Sequence, residues 1–222
     1  MSLPMLVALT VGPLACYFYV VGVWQSGRHP RLVAGPLDFA VLAFGVSGLL
    51  TVGPVGQLLM RLIFGLPGPW AWGLWAAFLA LWAIVFAGWA SRRTVVYNVE
   101  PARLAAAVGK ALDAMPGGRF AATLGGFESA DDGRAVLVEG IGRLRVGTVD
   151  ARGNEAEALA RALRPLLREQ LTAVPSGPTR VTWGLFVLSW ITMLAPLVTF
   201  LITEPRARAA MRALLIRIGL GT

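Results

Sequence analysis

The side chains able to do chemistry are few in this chain and stand apart from one another. His29 is the single histidine and Cys16 the single cysteine. One imidazole cannot build a zinc site, which needs three or four ligands. One thiol cannot close an intrachain disulfide or share a thiolate metal site. Cys16 lies inside an apolar stretch and reads as a small buried apolar side chain.

The carboxylates are no better arranged. Asp131 and Asp132 are adjacent, which suits a turn more than an acid–base pair. Lys110 and Asp113 read as helix-surface residues. Gly117-Gly118 and Gly125-Gly126 fit neither a phosphate loop nor a dinucleotide fingerprint. No serine occupies a nucleophile elbow. The expectation is no assignable catalytic residue, no metal site and no cofactor.

The positive charge is the remaining chemical signal. Nineteen arginines and one lysine set a net charge of +8. In a chain this apolar, that charge points to anionic membrane lipids and to topology. The arginines are interleaved with acids and lack an aromatic platform, so nucleic acid is not an expected partner. Arg92, Arg93 and Arg180 border the polar part of the chain and are the natural headgroup contacts. Arg206, Arg208 and Arg212 add a basic tail.

The elements that carry these residues are dominated by lipid-soluble helices. The chain has 222 residues, of which 56% are hydrophobic and 14% charged. A soluble domain carries about 25% charged residues. Residues 92–180 hold 23 of the 32 charged side chains, and four apolar stretches hold almost none. Those stretches run over 3–23, 37–60, 70–90 and 181–203. Each is long enough to cross a hydrocarbon layer about 30 Å thick as a helix. The first lacks a preceding Lys or Arg and is long for a signal peptide, so a retained helix is expected.

Within the first three stretches the connectors, Gln25 to Pro36 and Arg61 to Pro69, are short enough to be tight returns between antiparallel helices. Trp75, Phe78, Trp82, Phe86 and Trp89 fall on one helical face, and Trp70, Trp72 and Trp89 sit where membrane interfaces are expected. A packing and anchoring stripe is the plain reading; a lipid or quinone groove is the alternative.

The pentapeptide Leu-Thr-Val-Gly-Pro occurs at Leu9–Pro13 and again at Leu50–Pro54. Pro13, Pro54 and Pro196 each remove a helix hydrogen bond inside an apolar stretch. The freed carbonyl then needs a donor from a threonine or from a neighbouring helix. Gly12, Gly45, Gly48, Gly53 and Gly56 are the expected close-approach points. Gln57 is the main polar candidate at membrane depth.

The polar block reads as a small α+β domain. Thr94–Val99 is β-branched and aromatic, and Pro101 opens a helix whose apolar face is Leu104, Ala107, Val108, Ala111, Leu112 and Met115. Phe120–Phe127, Ala135–Glu139 and Leu144–Val149 read as three further strands, with a turn at Asp131-Asp132-Gly133. Asn154 and Glu157 resemble a capping box before a second helix, in which Pro165 makes a kink or a restart. The fold class is therefore a multi-pass α-helical membrane protein with an inserted α+β domain of β-α-β-β-β-α order. A ferredoxin-type arrangement is the sketch for its sheet.

The expected division is 1–91 for three membrane helices, 92–179 for the water-facing domain, 180–204 for a fourth helix and 205–222 for an amphipathic basic tail. Arg28, Arg31, Arg92, Arg93 and Arg180 place the domain on the cytoplasmic side. A fourth crossing would then put the arginine-rich tail outside, against the same rule. A local exception, a re-entrant fourth segment or a reversed orientation would each resolve that.

Three roles fit. The leading one is a cell-membrane protein, bacterial inner-membrane in type, that anchors a small module for a protein partner through residues 92–179. The others are a membrane enzyme or lipid-handling protein acting at the domain–membrane junction, and a transporter component.

Overall fold

Among the described residues, the apolar stretches become three long helices and one of 17 residues. In the computed structural model, residues 2–51, 53, 56, 69–116, 119–129, 133–206 and 209 are described. The expected turn at Asp131-Asp132, residues Pro54, Gln57, Arg208 and Arg212, and nearly all of the basic tail lie outside them, as do the side chains of Trp70 and Trp72.

Helix α1 spans Leu3–Gln25, α2 Gly35–Thr51, α3 Pro69–Ala90 and a last helix Arg180–Thr203. The first, third and last are long and apolar enough to cross a membrane; α2 reaches 17 residues within the described part. Only 6% of the most apolar part of the last helix is buried by protein. Ile84 and Ile191 are 70% and 60% exposed. A helix that is apolar all round and uncovered by protein requires lipid as its solvent. The chain is a multi-pass membrane protein with an inserted α+β domain.

Contacts divide the chain into two units. The first comprises residues 1–19, 43–77 and 186–222, and the second residues 20–42 and 78–185.

In the first unit, glycine lets two helix backbones approach. A Cβ at Gly45 would lie 2.5 Å from the Tyr17 Cβ, and one at Gly48 would lie 2.5 Å from the Thr10 carbonyl oxygen. Positions 45 and 48 thus meet 17 and 10 in descending order, so these stretches of α1 and α2 are antiparallel. Gly12 differs from expectation: nothing lies within 4 Å of its Cβ direction, because it faces away from α2. Cys16 is also exposed rather than buried, on the outer side of α1. Pro13 and Pro196 sit inside helices that continue through them. Ser189 Oγ donates to the Ala15 carbonyl at 2.9 Å and ties the last helix to α1.

The second unit holds the sheet. Strand β1 is Arg31–Ala34, β2 Arg93–Tyr97, β3 Phe120–Thr123, β4 Gly126–Ser129, β5 Ala135–Ile141 and β6 Val146–Arg152. The six strands form one open antiparallel sheet in the order β1-β2-β6-β5-β4-β3.

Three details depart from the sequence reading. The return after α1 is not only a loop, since Arg31–Ala34 pairs with Thr94–Tyr97 along its whole length. Phe120–Phe127 is two strands, because Leu124-Gly125 turns between them. The strand order is not ferredoxin-type: β2 lies antiparallel beside β6, and no pair is parallel.

Helices α4 (Pro101–Asp113) and α5 (Ala156–Thr172) cover one face. Both follow the period of an amphipathic helix, burying Leu104, Val108, Ala111 and Leu112 from α4 and Leu159, Leu163, Leu167 and Leu171 from α5. Val96, Val136, Val149 and Ala151 meet them from the sheet. Gly147 leaves room for Leu104, whose methyl a Cβ there would strike.

The capping box at Asn154 does not form. Glu155, at φ 57°, is the N-cap and makes no side-chain cap bond. Pro165 lies inside an unbroken α5. The last helix, Arg180–Thr203, is α6 below.

Candidate functional site

The site lies in the second unit, beside edge strand β1. Its parts come from local rules. Trp24 closes α1, where an amphipathic ring is favoured at a membrane surface. Arg31 and Val33 share one face of β1, with the arginine exposed at the strand's start and Val33 buried further along. Arg164 and Arg168 are four residues apart on α5 and share a face.

Together with Leu37 at the start of α2 and Leu171 on α5, these residues line a groove of about 620 Å³. That lies within the roughly 300–1,000 Å³ range of small-molecule sites. Its lining has three arginines and no carboxylate.

Some arginines elsewhere in this unit are matched by carboxylates, while Arg28, Arg92, Arg119, Arg143 and Arg180 have none among the described residues. Arg145 and Arg103 lie 3.2 and 3.3 Å from the Glu100 carboxylate, and Arg161 lies 3.0 Å from Glu157. Among the described residues, no carboxylate pairs with Arg31, Arg164 or Arg168.

Arg164 is the fixed member. Its guanidinium donates to the Ser91 carbonyl at 2.9 Å, the Arg93 carbonyl at 3.3 Å and Thr94 Oγ1 at 3.2 Å. These acceptors follow the C-terminal end of α3, where a cation is favoured. Arg31 and Arg168 are exposed, so their guanidinium groups face water.

A dense set of bonds holds the walls. The Tyr97 hydroxyl donates to the Asp38 carboxylate, and the Tyr97 ring packs 5.2 Å from that of Trp24. Asn98 Nδ2 donates to the Gly27 carbonyl at 3.0 Å and to Ser176 Oγ at 3.1 Å. Gln25 Nε2 donates to the Leu144 carbonyl at 3.3 Å.

The arginines singled out by sequence are placed differently. Arg93 stacks 3.6 Å above the Trp89 ring and lies 3.8 Å from Asp150, so its charge is already engaged by the protein. Arg92, Arg180 and Arg206 are exposed, and none of them lines the groove. Pro13 and Pro196 lie inside α1 and the last helix, and the buried side-chain amides among the described residues are those of Gln25 and Asn98. Arg164 and Arg168 carried a signal that sequence reading passed over, because like charges at i and i+4 repel along a helix.

Among the described residues, no three His, Cys, Asp or Glu side chains converge as metal ligands. No protein-family model, curated protein or solved structure matches the chain.

Proposed function

We propose that the chain is a non-catalytic membrane anchor that holds its α+β module, residues 92–179, at the cytoplasmic surface for a protein partner. One observation carries this reading. The return after α1 enters the module's sheet as strand β1, paired with β2 at all four positions. The segment that leaves α1 is thus part of the module's own sheet, which suits a chain that anchors and presents it.

Exposed apolar side chains at two turns of the sheet support a docking role. Ile141 and Leu144 are 59% and 43% exposed at the β5–β6 turn, and Leu124 is exposed at the β3–β4 turn. Apolar side chains left open on the module favour partner contact. The arginines flanking α1 and α3 support the cytoplasmic side. Four crossings, with α2 as the second, complete this topology.

The test is isolation of the cross-linked full-length chain in mild detergent. A stoichiometric protein partner that is lost with Ile141→Asp and Leu144→Asp supports the anchor. Recovery of the chain alone, with turnover of a phospholipid, overturns it in favour of a lipid-handling role. The three-arginine groove is the observation that keeps this second reading in view.

A further inference from the structure

We infer that the groove beside β1 binds an anionic glycerophospholipid, with the phosphate held by Arg31 and Arg168 and an acyl chain lying against the exposed Leu37. This site is separate from the partner surface proposed above and does not depend on it.

Charge is the first argument. Three guanidinium groups line one groove and no carboxylate does. Arg164 spends its Nε and one terminal nitrogen on the Ser91, Arg93 and Thr94 oxygens. Arg31 and Arg168 have no protein partner among the described residues and keep their full donor sets. A guanidinium fork matches two phosphate oxygens at once. Holding like charges together without a counterion is unfavourable, and an anionic headgroup supplies that counterion.

The apolar wall is the second argument. Trp24 and Leu37 stand at the ends of α1 and α2, one closing an apolar helix and the other opening the next. Leu37 is 54% exposed. Chain ends of this kind lie at headgroup depth, with hydrocarbon on one side and water on the other. Trp24 and Leu171 are already buried by protein, and a free phosphate would use the arginines and leave Leu37 uncovered. A phospholipid uses both.

The groove also runs along β1, which among the described residues is an edge strand paired with β2. An acidic peptide could add there as a strand. The exposed Leu37 at the start of α2 favours lipid, and the peptide becomes an outcome of the test.

The experiment uses the full-length chain in a zwitterionic detergent. Short-chain phosphatidylglycerol, short-chain phosphatidylcholine, inorganic phosphate and a hexaglutamate peptide are titrated in turn. Binding is read by native mass spectrometry and by the shift in thermal unfolding. The expected result is one phosphatidylglycerol per chain, with at least tenfold weaker phosphatidylcholine and phosphate.

The double variant Arg31→Gln/Arg168→Gln is expected to lose tenfold or more in phosphatidylglycerol affinity. Arg119→Gln/Arg143→Gln removes the same net charge from exposed positions outside the groove and is expected to leave affinity unchanged. Unliganded unfolding temperatures of both doubles within a few degrees of the parent show that folding is intact. Should Arg31→Gln/Arg168→Gln unfold the chain, Arg168→Gln alone serves, with a threefold or greater loss expected. Equal binding of both lipids, equal losses in the two double variants, phosphate binding as tight as the lipid, or preferential binding of hexaglutamate would each overturn the assignment.

Discussion

The indole Nε1 of Trp75 donates to the Leu50 carbonyl at 3.0 Å. Leu50 lies in the last turn of α2, which ends at Thr51, where carbonyls lack an intrahelical donor. Trp75 is 3% exposed and supplies the bond from α3. A neighbouring helix thereby satisfies a carbonyl at the end of α2, as hydrocarbon requires.

Replacing that donor is expected to be costly. Trp75→Phe leaves the Leu50 carbonyl without its indole partner, a loss of about 1–3 kcal/mol. Thermal unfolding in detergent reads the loss, with faster amide exchange near the end of α2 as the local signal. An unchanged unfolding temperature and unchanged exchange would refute the link.

Helix approach at glycine makes a second prediction. Gly48→Ala would drive a methyl into the Leu9 and Thr10 carbonyls, and Gly45→Ala into the Tyr17 side chain. Each is expected to destabilise by about 1–3 kcal/mol through overpacking. Gly12→Ala meets open space and should be neutral or slightly stabilising. Thermal unfolding of the three variants in one detergent ranks them.

Arg164 gives a third. Its bonds to the Ser91 and Arg93 carbonyls join α5 to the end of α3. Arg164→Gln is expected to cost about 1.5–3 kcal/mol, the range for hydrogen bonds to charged groups. Arg164→Lys should recover only part of this, since it keeps the charge and loses the planar fork. Faster amide exchange over residues 91–94 is the local readout.

Asn98 joins three segments and yields the fourth. Its φ is 63°, and its amide bonds reach Gly27 and Ser176. Asn98→Gly keeps access to that backbone region but loses both bonds, while Asn98→Ala loses both advantages. Stability should therefore fall in the order Asn, Gly, Ala. Amide exchange near Gly27 and Ser176 should rise in both variants; unchanged exchange would show that the bonds do not hold these loops.

Local pattern was enough for much of this architecture. Apolar runs longer than a bilayer is thick announced the membrane helices, because no water-soluble core can absorb them. The faces of α4 and α5 were legible for a similar reason: a 3.6-residue period forces Leu104, Val108 and Leu112, or Leu159, Leu163 and Leu167, onto one side. The apolar run also implied that carbonyls at helix ends need donors, although that Trp75 answers Leu50 depended on how the helices pack.

What sequence could not reveal was any pairing across long chain separations. Arg31–Ala34 looks like a short return, and only β2, about 60 residues later, makes it a strand. Arg31 meets Arg164 and Arg168 in one groove because β1 and α5 are neighbours in space, and charge spacing along the chain does not encode that. Hydrophobic periodicity is local and survives in one dimension. Edge-strand pairing and the convergence of arginines are long-range outcomes of packing, and exist only once the chain has closed on itself.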